Sequence, residues 1–516
     1  MEKIIQTLLV LVFSATISFA ADPVLKVSLS PLYTPPSKSY KMVGVTGDSQ
    51  RGFFQYCTDN SKSIIVQKFT PKLASSGKKE ISLADVGGAI NTERVIEVGG
   101  KVYWFYSTNS GLIVNVREID SEKGTFVGSD KELFVSPHEP FGKLFFLSGN
   151  RTEVTDRYDF TFSPDSSKFF IYNRKLLAHM NSKRENMNEF AVWVFDNNLT
   201  KIWGGNSVMI PYKLRQILNI SGDNSGNLLL MLWVNDGSKL PRYELVRFGK
   251  EKRIESVPLS FNGKLTTNAM VKVNKLSGLC VVGVYNESGT DGKVRMNTPA
   301  GYFLTQLNVT PTKIEQASTT FYPFNFEVSV NAKKGYNPNE AEVGTLQIRD
   351  VAENSDGSLF IIGEEFEERE VANGNMINTV YLTAEVWVQY IDKDGKLIWS
   401  KKIAKRQKGL NMNFTLGLKL MQHNNNYYVC FIDNEKNLAL PEGKKLEFHA
   451  ANNVDVIVGA KLEPTGISNK RLLLNTETLV KQNIDIVQVQ FVGNNTYFYN
   501  LDINVGIPRL CVLKWE

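Results

Sequence analysis

The chain has 516 residues, of which 42% are hydrophobic and 22% are charged. This composition excludes a mainly disordered chain, because enough apolar surface is available to build a core. The formal net charge of +6 is small for a chain of this length. It argues against a dedicated nucleic-acid-binding protein, in which basic residues are concentrated on one face.

The N-terminal residues have the pattern of an export signal. Lys3 precedes an apolar run that includes Leu8–Phe13, and Ser18-Phe19-Ala20 matches the small-x-small cleavage pattern. We therefore predict a signal peptide at residues 1–20, one mature domain at residues 21–516, and a secreted or periplasmic location. No later stretch approaches about 18 consecutive apolar residues, so no membrane span is predicted after cleavage.

The mature chain consists of repeated groups of four short apolar runs, which are rich in β-branched and aromatic residues and separated by turn residues. The clearest group has runs at 158–165, 168–174, 190–195 and 201–210. Similar groups occupy about 217–259, 270–321, 346–403 and 416–475, and two less regular ones occupy about 40–85 and 92–136. Each group predicts one four-stranded antiparallel sheet.

The last group is incomplete. It has runs at 484–491, 496–501 and 509–515, and Val24–Leu29 at the other end of the chain is a candidate for its fourth strand. Pairing of the two ends would close the array and remove its exposed edges. The predicted fold is therefore an all-β, β-propeller domain of four-stranded antiparallel blades. Eight blades is the best count, and seven is the alternative.

Two short motifs support this architecture. Ser163-Pro164-Asp165 resembles the turn that is common in WD40-like and TolB-like propellers. Gly395–Trp399, after Asp392, resembles the end of quinoprotein-type repeats, and Trp203 occupies the corresponding place in an earlier group. We interpret the aspartates as turn residues rather than calcium ligands, and the tryptophans as packing between blades. These resemblances imply the fold and no particular activity.

Four cysteines are far apart in apolar runs, at Cys57, Cys280, Cys430 and Cys511. Export would permit disulfides, but the surroundings favour buried, small hydrophobic side chains. No cysteine or histidine spacing matches a zinc site, so no metal site is predicted. The sequence does not specify a cofactor.

The longest predicted loops lie on the face where the second and third strands of each blade are joined. They occur at residues 177–187, 286–299, 367–380 and 434–453, with long links between blades at 137–157 and 322–344. Long loops in a compact fold are often functional, although tolerated insertions would look the same. This face is therefore the predicted binding face.

Candidate binding residues come from these segments. Three histidines lie in them, and runs of opposite charge occupy 364–370 and 401–408. We interpret the charge runs mainly as a solvated rim, with mutual pairing or the steering of a partner as alternatives. The candidate residues are His138, His179, His449, Glu367, Glu368, Lys405 and Arg406.

Signatures of serine hydrolases, zinc peptidases and phosphate-binding loops are absent from the sequence. The first hypothesis is a non-catalytic, monomeric binding or scaffold propeller with a protein or glycan partner and no nucleic-acid partner. The alternative is an enzyme at the mouth of the central channel, either a glycan-active hydrolase or lyase or a quinone-dependent oxidoreductase. Convergence of two carboxylates or histidines in a deep pocket would favour the enzyme.

Overall fold

The computed structural model describes most of the chain and consists almost entirely of β-strands. The described residues are 25–30, 40–48, 50–60, 62–140, 143–147, 151–155, 157–175, 189–210, 214–234, 242–250, 254–274, 278–288, 294–310, 312–324, 345–373, 376–410, 416–440, 446–449, 455–475, 490–493, 496–501 and 509–515. Within them, the helical segments are short 3-10 turns at Asn109–Gly111 and Glu435–Leu438. None of the described residues forms a helix long and apolar enough to cross a membrane.

The described strands form eight antiparallel sheets of four or five strands, which we number blades 1 to 8, and one separate hairpin. The first strand, β1 (Leu25–Leu29), belongs to blade 8. Blade 1 contains β2 (Lys41–Asp48), β3 (Gly52–Thr58), β4 (Ser63–Phe69) and β5 (Ser75–Ser82). Blade 2 contains β6 (Asn91–Val98), β7 (Lys101–Thr108), β8 (Ile113–Asp120) and β9 (Thr125–Val135). The hairpin of β10 (Lys143–Leu147) and β11 (Arg151–Thr155) follows.

The middle of the chain continues this pattern. Blade 3 contains β12 (Asp159–Phe162), β13 (Phe169–Arg174), β14 (Glu189–Phe195) and β15 (Lys201–Met209). Blade 4 contains β16 (Leu214–Gly222), β17 (Leu228–Val234), β18 (Arg242–Phe248) and β19 (Glu255–Pro258). Blade 5 contains β20 (Leu265–Asn274), β21 (Gly278–Ser288), β22 (Val294–Val309) and β23 (Ile314–Pro323).

Two five-stranded sheets precede the closing blade. Blade 6 contains β24 (Thr345–Glu353), β25 (Leu359–Asn373), β26 (Met376–Ile391), β27 (Leu397–Ile403) and β28 (Gln407–Leu410). Blade 7 contains β29 (Lys419–His423), β30 (Asn426–Asn434), β31 (Asp455–Glu463), β32 (Gly466–Ile467) and β33 (Arg471–Asn475). Blade 8 combines β34 (Gln490–Gly493), β35 (Thr496–Leu501) and β36 (Arg509–Trp515) with β1.

The two ends of the chain close the ring. β1 pairs antiparallel with β36, so that Leu25 lies opposite Trp515 and Leu29 lies opposite Cys511. Strand β34 of blade 8 also contacts strand β2 of blade 1. These contacts confirm the predicted eight-bladed propeller and its closure by strands from both ends.

The core lies between the blades, because each blade buries both of its faces. In β17, Leu228, Leu230 and Leu232 pack toward blade 3, whereas Leu229 and Met231 pack toward blade 5. This division follows from the alternation of side chains along a strand. Apolar clusters of the same kind join blades 1 to 7 in sequence and join blade 8 to blade 1.

The turn and tryptophan predictions are confirmed. Asp392 Oδ1 accepts hydrogen bonds from the backbone N–H groups of Asp394 at 3.0 Å and Lys396 at 2.8 Å, so this carboxylate stabilises a turn. The Trp399 indole N–H donates to a blade 7 carbonyl at Pro464, at 2.9 Å. Trp203 makes the same kind of bond from blade 3 to blade 4. Both tryptophans therefore connect neighbouring blades.

The cysteine prediction is confirmed for the three cysteines whose side chains are described. Cys57, Cys280 and Cys430 are buried thiols outside any disulfide. Burial raises the pKa of the Cys57 and Cys280 thiols to about 12, so both stay protonated at neutral pH. The side chain of Cys511 lies outside the described residues.

Candidate functional site

The predicted loop at 367–380 is wrong, because blade 6 instead carries a long β-hairpin. Among the described residues, β24 pairs with β25 as far as Phe366, and β27 pairs with β26 as far as Val386. Beyond these points β25 and β26 continue to pair with each other, and β28 adds a third strand to β26. We call this three-stranded extension the blade 6 projection; it comprises residues 366–373, 376–383 and 407–410.

The predicted loop at 286–299 is also largely strand, because β21 continues to Ser288 and β22 begins at Val294. The segment 434–453 begins with a 3-10 turn that Asn434 caps through its side chain. The link at 137–157 contains the β10–β11 hairpin. The loop at 177–187 and most of 322–344 lie outside the described residues.

The blade 6 projection has two faces with different chemistry. Directly paired residues of an antiparallel ladder share a face. One of the two faces of the projection, which we call the carboxylate face, contains two glutamates. It comprises Phe366, Glu368 and Glu370 of β25 and, opposite them, Thr383, Tyr381 and Thr379 of β26. Glu368 and Glu370 are exposed. The rings of Phe366 and Tyr381 are half-buried, with centroids 6.4 Å apart.

The other face of the projection carries a glutamate that is already paired. Glu367 accepts a hydrogen bond from Arg369 Nη2 at Oε2, at 2.6 Å. Leu382 lies opposite Glu367 on β26, and Lys408 of β28 lies opposite Leu382. Glu367 is therefore compensated within its own face, whereas Glu368 points to the carboxylate face.

A buried ion pair anchors the base of the projection. Lys405 Nζ contacts Glu364 Oε1, and both side chains are fully buried (0% exposed). Arg349 Nε donates to the other oxygen of Glu364 at 2.6 Å. Burial lowers the pKa of Lys405, and the adjacent Glu364 carboxylate opposes that change. The interpretation of this charge run as a solvated rim is therefore wrong for Glu364 and Lys405.

Neutral polar side chains complete this network. Lys405 Nζ donates to Thr383 Oγ1 at 2.7 Å, and Thr383 donates in turn to Gln407 Oε1 at 2.6 Å. Gln407 Nε2 donates to the carbonyl of Ile432 in blade 7 at 2.7 Å. The network thus connects β25, β26 and β28 to the next blade. It positions the projection relative to blade 7.

Arg406 and His449 lie on the blade 7 side of the same base. The Arg406 guanidinium lies 3.6 Å from the centroid of the Phe448 ring and donates to the carbonyl of Leu446 at 2.9 Å. The His449 N–H donates to the Arg406 carbonyl at 3.0 Å, and the Lys408 N–H donates to the His449 carbonyl at 3.1 Å. Arg406 and His449 are buried and hold this loop against β28.

His138 belongs to a separate cluster on blade 3. Its Nδ1 lies 3.3 Å from Ser207 Oγ, and the Ser207 hydroxyl also contacts Glu189 Oε1. Lys175 Nζ lies 2.6 Å from Glu189 Oε2. Burial lowers the pKa of His138, which the charge of Glu189 opposes. His138 is therefore neutral at pH 7 in this cluster.

This cluster is not arranged as a nucleophile and its base. A serine nucleophile must donate its hydroxyl proton to the base, but the Ser207 hydroxyl donates to Glu189. Glu189 is in turn neutralised by Lys175. The geometry therefore favours a structural polar cluster that holds the link after β9 on blade 3.

Most of the predicted residues share one region. Five of the candidate residues lie in or beside the blade 6 projection: Glu367, Glu368, Lys405, Arg406 and His449. His138 lies on blade 3, and His179 lies outside the described residues. Across the described part of the chain, no three His, Cys, Asp or Glu side chains are grouped as a metal site requires.

Sequence reasoning missed Arg349, Thr383, Tyr381 and Gln407. Arg349 contacts Glu364, Thr383 contacts Lys405, Tyr381 lies opposite Glu368, and Gln407 forms a bridge with His449. These contacts depend on the ladder register and on the packing of blade 7. The alternation of Thr379, Tyr381 and Thr383 on one side of a strand was a usable signal. It required the segment to be read as β-strand.

A cavity of 190 Å³ lies between blades 3 and 4, away from the projection. Its lining residues are Val192, Trp203, Gly204, Asn206, Val208, Phe248, Gly249 and Lys250. None of them is acidic or a histidine, so this cavity lacks the carboxyl pair that glycan hydrolysis requires.

No protein-family model and no curated protein matches the sequence. Among solved structures, the WD40 domain of SCAP from fission yeast is similar, with 7% identity, a TM-score of 0.36, and coverage of 95% of this chain and 98% of that one. The Dos1 propeller is similar at 10% identity and a TM-score of 0.39, with 95% of each chain covered. A β-1,3-galactosidase of glycoside hydrolase family 43 has 10% identity and a TM-score of 0.26, with coverage of 60% and 93%. These values assign neither a family nor an activity to the chain.

Proposed function

We propose that this chain is an exported, non-catalytic binding propeller that presents the blade 6 projection to a protein partner. The observation that carries the proposal is a three-stranded ladder that extends beyond its blade and displays exposed Glu368 and Glu370. Its base is fixed by the buried Glu364–Lys405 pair. A rigid, preorganised surface loses little conformational freedom on binding, which favours recognition of a partner.

The groups at this site support binding rather than catalysis. Lys405 is fully buried and held by Glu364 and Thr383, so its amine has no exposed face for a substrate. The exposed carboxylates Glu368 and Glu370 lie on a strand ladder, away from the described cavity between blades 3 and 4. Enzyme sites combine perturbed groups with a concave pocket, whereas the perturbed group here, Lys405, is fully buried at the base of the projection.

Removal of the projection tests this function. Because Phe366 lies directly opposite Thr383, replacing residues 367–382 by Asn-Gly would close the hairpin with a two-residue turn. The matched control replaces residues 289–293 by Asn-Gly in the blade 5 hairpin, where Ser288 lies opposite Val294. Both variants are compared with the unmodified chain in quantitative capture of proteins from the exported fraction.

We expect the control to retain the same partner as the unmodified chain and the shortened blade 6 variant to lose it. Equal capture by all three chains would contradict the proposal. Turnover of a glycan substrate that survives removal of the projection would favour the enzyme alternative.

Export is tested by fractionating cells that make the chain with and without residues 1–20. Only the longer chain should leave the cytoplasm.

A further inference from the structure

One guanidinium already lies at the base of the carboxylate face. The Arg349 guanidinium carbon is 5.7 Å from the centroid of the Phe366 ring. Its Nε donates to Glu364, two residues earlier on the same strand, at 2.6 Å. An aromatic ring beside a carboxylate suits a guanidinium, because the ring face attracts the planar cation and the carboxylate accepts its hydrogen bonds.

The same combination is repeated farther along the face. Glu368 lies directly opposite Tyr381, and Glu370 lies opposite Thr379. Both glutamates are exposed. Over the described ranges, neither forms an ion pair, whereas Glu364 pairs with Arg349 and Lys405, and Glu367 pairs with Arg369. The outer part of the carboxylate face is thus negatively charged, aromatic and open.

The spacing of these groups restricts what fits. Same-face neighbours on a strand are about 6.8 Å apart, which matches side chains at positions i and i+2 of another extended chain. An arginine would use a planar fork on a carboxylate and stack on Tyr381, whereas a lysine offers a point charge. The opposite face offers less attraction, because Arg369 compensates Glu367 and Lys408 lies nearby.

We infer that the carboxylate face binds an extended segment of a partner protein that carries arginines at alternate positions. This inference rests on the proposed function and names the chemistry of the partner. Glu368 and Glu370 accept the two guanidinium groups, and Tyr381 supplies the ring for the first of them. Arg349 on Phe366 is the internal example of the same contact.

A defined peptide tests the inference on the full chain. The probe is a capped, fluorescently labelled nine-residue peptide of Ser and Thr with arginines at two alternate positions, and the comparison peptide has lysines there. We expect the arginine peptide to bind more tightly, with affinity that falls as salt rises. Glu368→Gln together with Glu370→Gln should weaken binding about tenfold. Glu132→Gln, at an exposed position of β9, is the control and should stay within about twofold.

Tyr381→Leu separates ring stacking from charge. It should remove the preference for arginine over lysine while leaving part of the salt-dependent binding. Equal binding by the double variant and the Glu132→Gln control would overturn the inference, as would equal binding of both peptides to the unmodified chain. If neither peptide binds but partner capture still requires the projection, the inference is wrong and the proposed function stands. Capture that survives removal of the projection contradicts the proposed function instead.

Discussion

The base and the outer part of the blade 6 projection contain the same residue types in opposite situations. Glu364 and Glu368 are four residues apart on β25, yet Glu364 is fully buried between two cations whereas Glu368 is exposed. The difference arises because Glu364 lies where the projection joins its blade, in contact with Lys405 and Arg349, whereas Glu368 lies farther out along the ladder. Burial, rather than sequence, therefore separates an anchoring carboxylate from a binding one.

Substitutions in the buried base of the projection should reduce the free energy of unfolding most. Lys405→Met leaves Glu364 buried with Arg349 as its remaining cation, and we expect a loss of about 3 kcal/mol in the free energy of unfolding. Guanidinium chloride unfolding measures this loss. The double variant with Glu364→Gln should lose clearly less than the sum of the two single variants, because both charges of the fully buried pair are then removed together. Additive losses would show that the pair does not act as a unit.

Thr383 lies between the base and the outer part of the projection, and its replacement should have an intermediate effect on the free energy of unfolding. Thr383→Val removes an acceptor for Lys405 and a donor to Gln407, and we expect a loss of about 1–2 kcal/mol in the same measurement. Thr125→Val, at an exposed position of β9, is the control and should change little. Equal effects at the two positions would argue against the buried network.

Burial also affects a titratable group in the blade 3 cluster, and it should make the free energy of unfolding depend on pH. Burial lowers the pKa of His138 below its ordinary value of 6.5, so the unfolded chain takes up this proton at a higher pH than the folded chain. The free energy of unfolding should therefore fall as the pH is lowered from about 6.5 toward the folded-state pKa. Unfolding curves across this range measure the slope. His138→Gln should flatten it; an unchanged slope would exclude His138 as its source.

The exposed carboxylates should have the smallest effect on stability. Glu368→Gln together with Glu370→Gln should change the free energy of unfolding by less than about 0.5 kcal/mol, because neither side chain is buried. A loss as large as that of Lys405→Met would place these residues in the structural network. The comparison between base and outer part would then fail, together with the binding role of this surface.

The ring itself could be predicted from the sequence because each blade carries its own short apolar runs separated by turn residues. Runs such as Leu228–Val234 bury both faces of a strand and repeat at regular intervals. The projection could not be predicted in the same way. Its charged residues, Glu367 to Glu370, lie on both faces of a ladder beyond the core, so no apolar alternation marks them as strand.

The sequence by itself predicted the four-stranded units and their closure by the two ends, with seven blades as the alternative to eight, because these features depend on local apolar runs and turn residues. Only the tertiary structure decided which charges became an anchor and which became a surface. The reason is that Glu364 and Lys405 are 41 residues apart and meet only after β25, β26 and blade 7 have packed. Long-range packing sets the burial of each charge, and burial sets what that charge can do.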